Sequence, residues 1–227
     1  MFEIPEYKQQ IQELPTFSRS LFFNNKPHRV AIIGKSGGGK TRFIPHIIGH
    51  MLPQKNSELI AFVKDKQDRN YNNISMYCKE NSIPCTILDT FDECLIDSCK
   101  NKKIHSIIIF DDIDLDKNQL KSVDNLFSKG RQDSITSIIV GQDYFNRISK
   151  QVRDNINLLC LFDVVNKQDI TRMGNAIGID KNDVIKYHKH CMQNDEFKPL
   201  ILYPDCGTNS CLKIRHGIDG ILKKYII

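Results

Sequence analysis

The chain has 227 residues, with 32 Lys and Arg against 27 Asp and Glu, for a formal charge of +5. Hydrophobic residues make up 40% and charged residues 26%, the proportions of a soluble globular protein with room for one sizeable core and small terminal additions. The positive excess permits a phosphate-rich partner without demanding one. No apolar run approaches the ~18 residues of a membrane span, and residues 1–27 lack the continuous apolar stretch of a secretory signal.

The elements follow from pattern in chain order. Residues 1–27 are polar and mixed, with Pro5, Pro15 and Pro27, and read as an arm, packed on the domain or reaching a neighbour. His28–Ile33 reads as a strand. A helix opens in the Gly-rich stretch after it and runs towards Leu52, where Pro53 stops it; Pro45 inside it is expected to kink it. Leu59–Val63, Cys85–Leu88 and Ile104–Phe110 read as strands. The next helix starts near Asp116, with Gln119 as its capping partner and an apolar stripe of Leu120, Val123, Leu126 and Phe127. Strands at Ile135–Val140 and Leu158–Val164 follow. Most of these strands are nearly continuous in apolar residues, as strands buried on both faces are. Strands alternating with helices predict an α/β fold around a mostly parallel sheet. The C-terminal third carries a polar helix (Lys181–Gln193), two strands (Pro199–Tyr203 and Leu212–His216) and a short basic end.

Gly34-Lys35-Ser36-Gly37-Gly38-Gly39-Lys40-Thr41 fits GxxxxGK[ST], the P-loop, at every fixed position. Its glycines let the backbone curl so that N–H groups point at phosphate oxygens, and the following helix adds its N-terminal dipole. The motif predicts ATP as ligand, with Lys40 reaching the β- and γ-phosphates and Thr41 ligating Mg2+. Ile107-Ile108-Ile109-Phe110-Asp111-Asp112 delivers two acids to the end of a buried strand. Asp111 fits the magnesium-binding acid and Asp112 the group that polarises attacking water, although many P-loop ATPases carry the longer Glu there. The strand ending Val140-Gly141-Gln142 places Gln142 where it can sense the γ-phosphate, provided this strand lies between the other two. The eight cysteines (78, 85, 94, 99, 160, 191, 206 and 211) show no CxxC spacing and are expected to be free thiols in a reducing compartment. A zinc site from Cys206, Cys211 and His216 is the alternative.

Together, the P-loop, the apolar run into Asp111-Asp112, and Gly130-Arg131 followed eleven residues later by Gln142 resemble the FtsK/HerA superfamily of DNA-pumping ATPases. Within it the chain is most similar to the small genome-packaging ATPases of double-jelly-roll-capsid DNA viruses, a group that includes poxvirus-like giant viruses, virophages and Polinton elements. Arg131, the strand to Val140, Gln142, Tyr144-Phe145 and Arg153-Asp154-Asn155 carry that likeness, with Gly141 standing where Thr or Ser is more usual. The resemblance covers roughly residues 28–165. It divides the chain into an arm (1–27) and an ATPase domain (28–227) whose core is 28–165 and whose extension, 166–227, matches nothing recognisable.

The resemblance implies a P-loop NTPase with a RecA-like core, sheet order 5-1-4-3-2. It also implies a homo-oligomeric ring of five or six subunits that hydrolyses ATP to thread double-stranded DNA into a capsid, in contact with a capsid or packaging-vertex protein. The place would be the host cytoplasm, in a virus factory, or the virion, with no membrane anchor. Arg131 is the implied finger sent into a neighbour's site, with Arg153 as the competing candidate. Lys64, Lys66 and Arg69 form the best basic cluster for phosphate contact with DNA; an ordinary solvated loop is the alternative. Two other readings stay open. One is a different ring ATPase, of the helicase or plasmid-transfer type. The other is a small-molecule kinase, which would need an Arg-rich lid that the scattered arginines do not suggest.

Overall fold

The computed structural model describes residues 10–15, 27–51, 56–100, 102, 104–164, 166–176, 178–194, 198–203, 214–217 and 220–225, and all statements of structure concern these. Ten strands form one sheet: β1 (Gln10–Pro15), β2 (Arg29–Ile33), β3 (Ser57–Val63), β4 (Cys85–Leu88), β5 (His105–Asp111), β6 (Ile135–Gly141), β7 (Leu158–Leu161), β8 (Leu200–Leu202), β9 (Ile214–His216) and β10 (Gly220–Tyr225). Their order is β1-β10-β9-β8-β7-β2-β6-β5-β3-β4. The pairs from β7 through β2, β6, β5 and β3 to β4 are all parallel, whereas β7–β8, β8–β9, β9–β10 and β10–β1 are antiparallel.

The expected order 5-1-4-3-2 is present as β7-β2-β6-β5-β3. The sheet is longer than expected at both ends. Cys85–Leu88 adds a parallel strand beyond β3, and four antiparallel strands extend the other side beyond β7. Two of those were not read as strands from sequence. Gln10–Pro15 lies within the expected arm, and Gly220–Tyr225 within the short basic end. Each is short and mixed in polarity, so neither shows the apolar run of a doubly buried strand. The strand expected to reach Val164 stops at Leu161.

The central strands are buried on both faces because helices cover both. Val30 and Ile32 point into a cluster with Ile44, Ile47 and Ile48 of helix α1 (Lys40–Met51) and Tyr71, Ile74 and Cys78 of α2 (Arg69–Glu80). Ala31 and Ile33 point the other way, with Ile96 and Cys99 of α3 (Glu93–Cys99) and Val123, Leu126 and Phe127 of α4 (Lys117–Lys129). On that face also lie α5 (Tyr144–Arg147), α6 (Lys150–Asn155), α7 (Lys167–Ala176) and α8 (Lys181–Asn194). This alternation is the period of two of a strand. Pro45 lies inside α1, which continues through it to Met51. Leu120 leaves the expected apolar stripe of α4 and stands 38% exposed, while Val123, Leu126 and Phe127 are buried.

The capping box of α4 forms as its sequence predicts. The Asp116 side chain accepts from the N–H groups of Asn118 and Gln119, and Gln119 Oε1 accepts from Asp116 N–H at 2.9 Å. Asp116→Ala is expected to destabilise the protein by about 1 kcal/mol, read as a lower denaturant midpoint with an unchanged slope.

Candidate nucleotide site

In a parallel sheet all strands end at one edge. The register pairs Ile33 with Gly141 and Val140 with Asp111, so the chain leaves β2, β6 and β5 side by side. Gly34, Gln142 and Asp112 each stand one residue beyond those strands, which brings the three motifs of the sequence to a single edge.

The P-loop is held from below. Gly34 N–H donates to Gly141 O at 3.2 Å and Lys35 N–H to Asp163 O at 2.8 Å, while the side chains of Lys35 and Asp163 form an ion pair. Gly37 and Gly39 take φ of +73° and +87°, a region that side chains with a Cβ adopt at a cost. Lys40 is buried, and its Nζ donates to Gly34 O at 2.8 Å and Lys35 O at 2.9 Å, folded inside its own loop. Burial pulls its pKa below the ordinary lysine value, and the negative fields of Asp112 and Asp111 oppose that fall.

Asp111 sits at the end of β5. Its Oδ2 accepts from Thr41 Oγ1 at 3.1 Å and from the Tyr71 hydroxyl at 2.8 Å. Burial raises its pKa above the usual carboxylate range, against the lowering effect of those two hydrogen bonds. A hydroxyl beside a carboxylate is an all-oxygen donor pair, which suits Mg2+ sharing its remaining positions with phosphate oxygens and water. Among the described residues no group of three or more His, Cys, Asp or Glu is gathered to hold a metal. Cys78, Cys85, Cys94, Cys99 and Cys160 are free thiols; Cys206 and Cys211 lie outside the described residues.

Asp112 has φ of +49°, uncommon for a residue with a side chain, and such strain concentrates at functional sites. Gln142 Nε2 donates to Asp112 Oδ2 at 3.2 Å, so the second acid and the polar residue after β6 meet directly. Arg131 is not brought to this edge. It lies in the turn before β6, exposed, and the seven residues of β6 separate it from Gln142 by roughly 20 Å at the rise of a strand. At that distance Arg131 does not reach the P-loop of its own chain. Arg153 is committed elsewhere. Its guanidinium donates to Phe145 O at 2.9 Å and also to Ile148 O, and lies over the rings of Tyr144 and Phe145. Lys64, Lys66 and Arg69 are exposed, but Asp65 and Asp68 interleave with them and Lys66 pairs with Asp89.

Three contributors were not visible in the sequence. Tyr71 is one. The others are Phe162, beneath the P-loop, and His188 of α8, whose Nε2 lies 2.8 Å from Phe162 O. A Cβ on Gly34 would stand 2.6 Å from Phe162 Cβ. Tyr71 begins a buried helical stripe with Ile74 and Cys78, and a buried Tyr needs a partner for its hydroxyl. That signal marks a bonded Tyr without saying to what.

The burial of Asp111 predicts a conflict between stability and function. Its pKa is raised in the folded state, so the fold favours the protonated form. That contribution is full below the ordinary carboxylate range and is lost as pH rises through the raised value. Asp111→Asn is therefore expected to melt like the parent at acid pH and above it at neutral pH, without nucleotide. Equal melting temperatures at neutral pH would contradict this.

The profile of the family described as Poxvirus A32 protein matches residues 15–205. No curated protein sequence matches the chain. Among solved structures, the genome packaging NTPase B204 from Sulfolobus turreted icosahedral virus 2, in complex with AMPPCP, superposes with a TM-score of 0.56. It is 16% identical, over 88% of this chain and 97% of that one. The cytoplasmic domain of the Thermomonospora curvata type VII secretion ATPase EccC gives 0.53 at 12% identity, over 90% of this chain and 24% of that one. The pCW3 conjugation coupling protein TcpA with ATPγS gives 0.51 at 11% identity, over 89% and 61%. At such identities these likenesses establish the fold, that of P-loop ATPases. The family match spans most of the sequence, P-loop, acid strand and Gln strand included, and this chain belongs to the poxvirus A32 protein family.

Proposed function

We propose that this chain is an ATP-hydrolysing motor that moves double-stranded DNA into a viral capsid. The observation that carries the reading is the meeting of the P-loop, Asp111-Asp112 and Gln142 at one sheet edge, in a chain of the poxvirus A32 family. The structural neighbour described as a genome packaging NTPase supports assigning that work to this chain. Mg2+ as the accompanying ion, a ring of five or six subunits, a capsid or packaging-vertex partner, and action in a virus factory or the virion belong to the same proposal. Among the described residues no helix is long and apolar enough to cross a membrane.

In such a motor each side chain at this edge has its own task. Lys40 leaves the carbonyls of Gly34 and Lys35 for the β- and γ-phosphates, exchanging two neutral acceptors for charged ones. Thr41 and Asp111 would hold the magnesium, which would neutralise charge on the phosphates. Asp112 orients the attacking water and draws on its proton, and Gln142 keeps that carboxylate in place. Gln142 can instead turn to a γ-phosphate, so one side chain links the presence of ATP to the freedom of Asp112. Arg131 of a neighbouring subunit completes the charge around the γ-phosphate, an effect on the order of 10³ to 10⁵ in rate for such fingers.

Hydrolysis measured with and without double-stranded DNA tests the reading. The motor is expected to be stimulated by DNA, and Lys40→Ala to be inactive yet folded; wild-type hydrolysis by Lys40→Ala, or indifference to DNA, would overturn it. Asp112→Asn should bind ATP and fail to turn it over.

Mixed assemblies test the finger. Arg131→Ala and Lys40→Ala subunits, each inactive alone, are expected to recover part of the activity when combined, because some interfaces then join an intact P-loop to an intact Arg131. No recovery, in assemblies shown to be mixed, removes Arg131 from the site.

A further inference from the structure

Tyr71 belongs to none of the motifs that point to the site, yet it bonds to the acid at its centre. It is the third residue of α2, 1% exposed, packed among Ile74, Cys78, Val63 and Ile109. Its hydroxyl donates to Asp111 Oδ2 at 2.8 Å, the oxygen that also accepts from Thr41 at 3.1 Å. A phenol keeps its proton at neutral pH, so the hydroxyl is a standing donor to the carboxylate. The main chain of the same acid is held from the same segment, since Lys64 N–H donates to Asp111 O at 3.1 Å. The segment 64–71 therefore grips Asp111 at both backbone and side chain.

We infer that Tyr71 is a positioning residue for magnesium capture: its hydroxyl fixes the Asp111 carboxylate and ties the segment 64–71 to the metal site. The inference rests on Asp111 being the magnesium-binding acid. The terminal torsion of an aspartate is broad, so an unrestrained carboxylate samples orientations that a metal must then select. Thr41 would itself ligate the ion through a lone pair of its hydroxyl oxygen, so its position is set by the metal as well as by Asp111. Tyr71 has no such second task. Both bonds fall on Oδ2, so the other carboxylate oxygen carries neither of them. Groups that hydrogen-bond to metal ligands in this way change metal affinity by about 10- to 100-fold when removed.

The test is Tyr71→Phe in the full chain, which keeps the buried ring and removes only the donor. A non-hydrolysable ATP analogue is titrated calorimetrically without magnesium and with saturating magnesium. Magnesium-free affinity is expected to match the parent, while the gain in affinity on adding magnesium shrinks about 10- to 100-fold. In hydrolysis, the magnesium concentration for half-maximal rate is expected to rise by a similar factor, with most of the rate restored at saturation. A magnesium dependence equal to the parent overturns the inference. So does an equal loss of affinity with and without magnesium together with a lower melting temperature, because that describes packing alone. Tyr71→Met, which also lacks the hydroxyl, carries the same measurement if the Phe variant does not fold. Asp111→Asn is run beside them. If it too retains the full magnesium effect, the assignment of Asp111 falls; if it loses the effect and Tyr71→Phe does not, only the role of Tyr71 falls.

Discussion

The chemistry of this protein depends on the register of three parallel strands. β6 is inserted between β2 and β5, and the pairings Ile33 with Gly141 and Val140 with Asp111 bring the three chain exits level. A slip of one residue would turn every side chain of a strand to the opposite face and unseat one motif from the others. What prevents a slip is burial on both sides. Ala31 and Ile33 are committed to one helical layer, Val30 and Ile32 to the other, and neither layer can accept the exchange without voids. The precision of the site is thus inherited from the packing of residues that never meet a nucleotide.

The edge so formed puts charge and strain together. Lys40 is drawn below its ordinary pKa by burial, and Asp111 is pushed above its own by the same cause. Each is stabilised by the other's field, and Lys40 and Asp112 are satisfied by bonds that a nucleotide could replace. Lys40 rests on two loop carbonyls, and Asp112 is tied to Gln142 in a backbone conformation that favours glycine. These are interactions with alternatives nearby, as a site that must change partners during turnover requires.

The sequence made much of this legible, and unevenly. The P-loop and Asp111-Asp112 could be read because both lie in contiguous motifs whose spacing is set by backbone geometry. Gln142 could be read only through the insertion of its strand between the others, which resemblance supplied and the pairing of β6 confirms. Tyr71, Phe162 and His188 could not be read. Tyr71 reaches Asp111 across 40 residues, and His188 reaches Phe162 across 26, through contacts that no local pattern encodes. Leu120 fails in the opposite direction, since helical period places it on the apolar stripe while the end of the stripe runs out over solvent. The antiparallel side of the sheet was the least visible part. β8 and β9 are legible as short strands, whereas the two outermost alternate too weakly to stand out from an arm and a tail.

The outermost pairing sets a timetable. β1 and β10 stand more than two hundred residues apart in the chain, yet they are hydrogen-bonded neighbours along six residues each. During synthesis the segment of β1 emerges long before the strand that will lie against it. It must remain unpaired while the P-loop layer assembles, or find another edge to lean on meanwhile. The sheet is completed only when β10 emerges and joins a segment made more than two hundred residues earlier. A stretch read from sequence as an arm is, in this sense, the part of the fold that waits longest to be made.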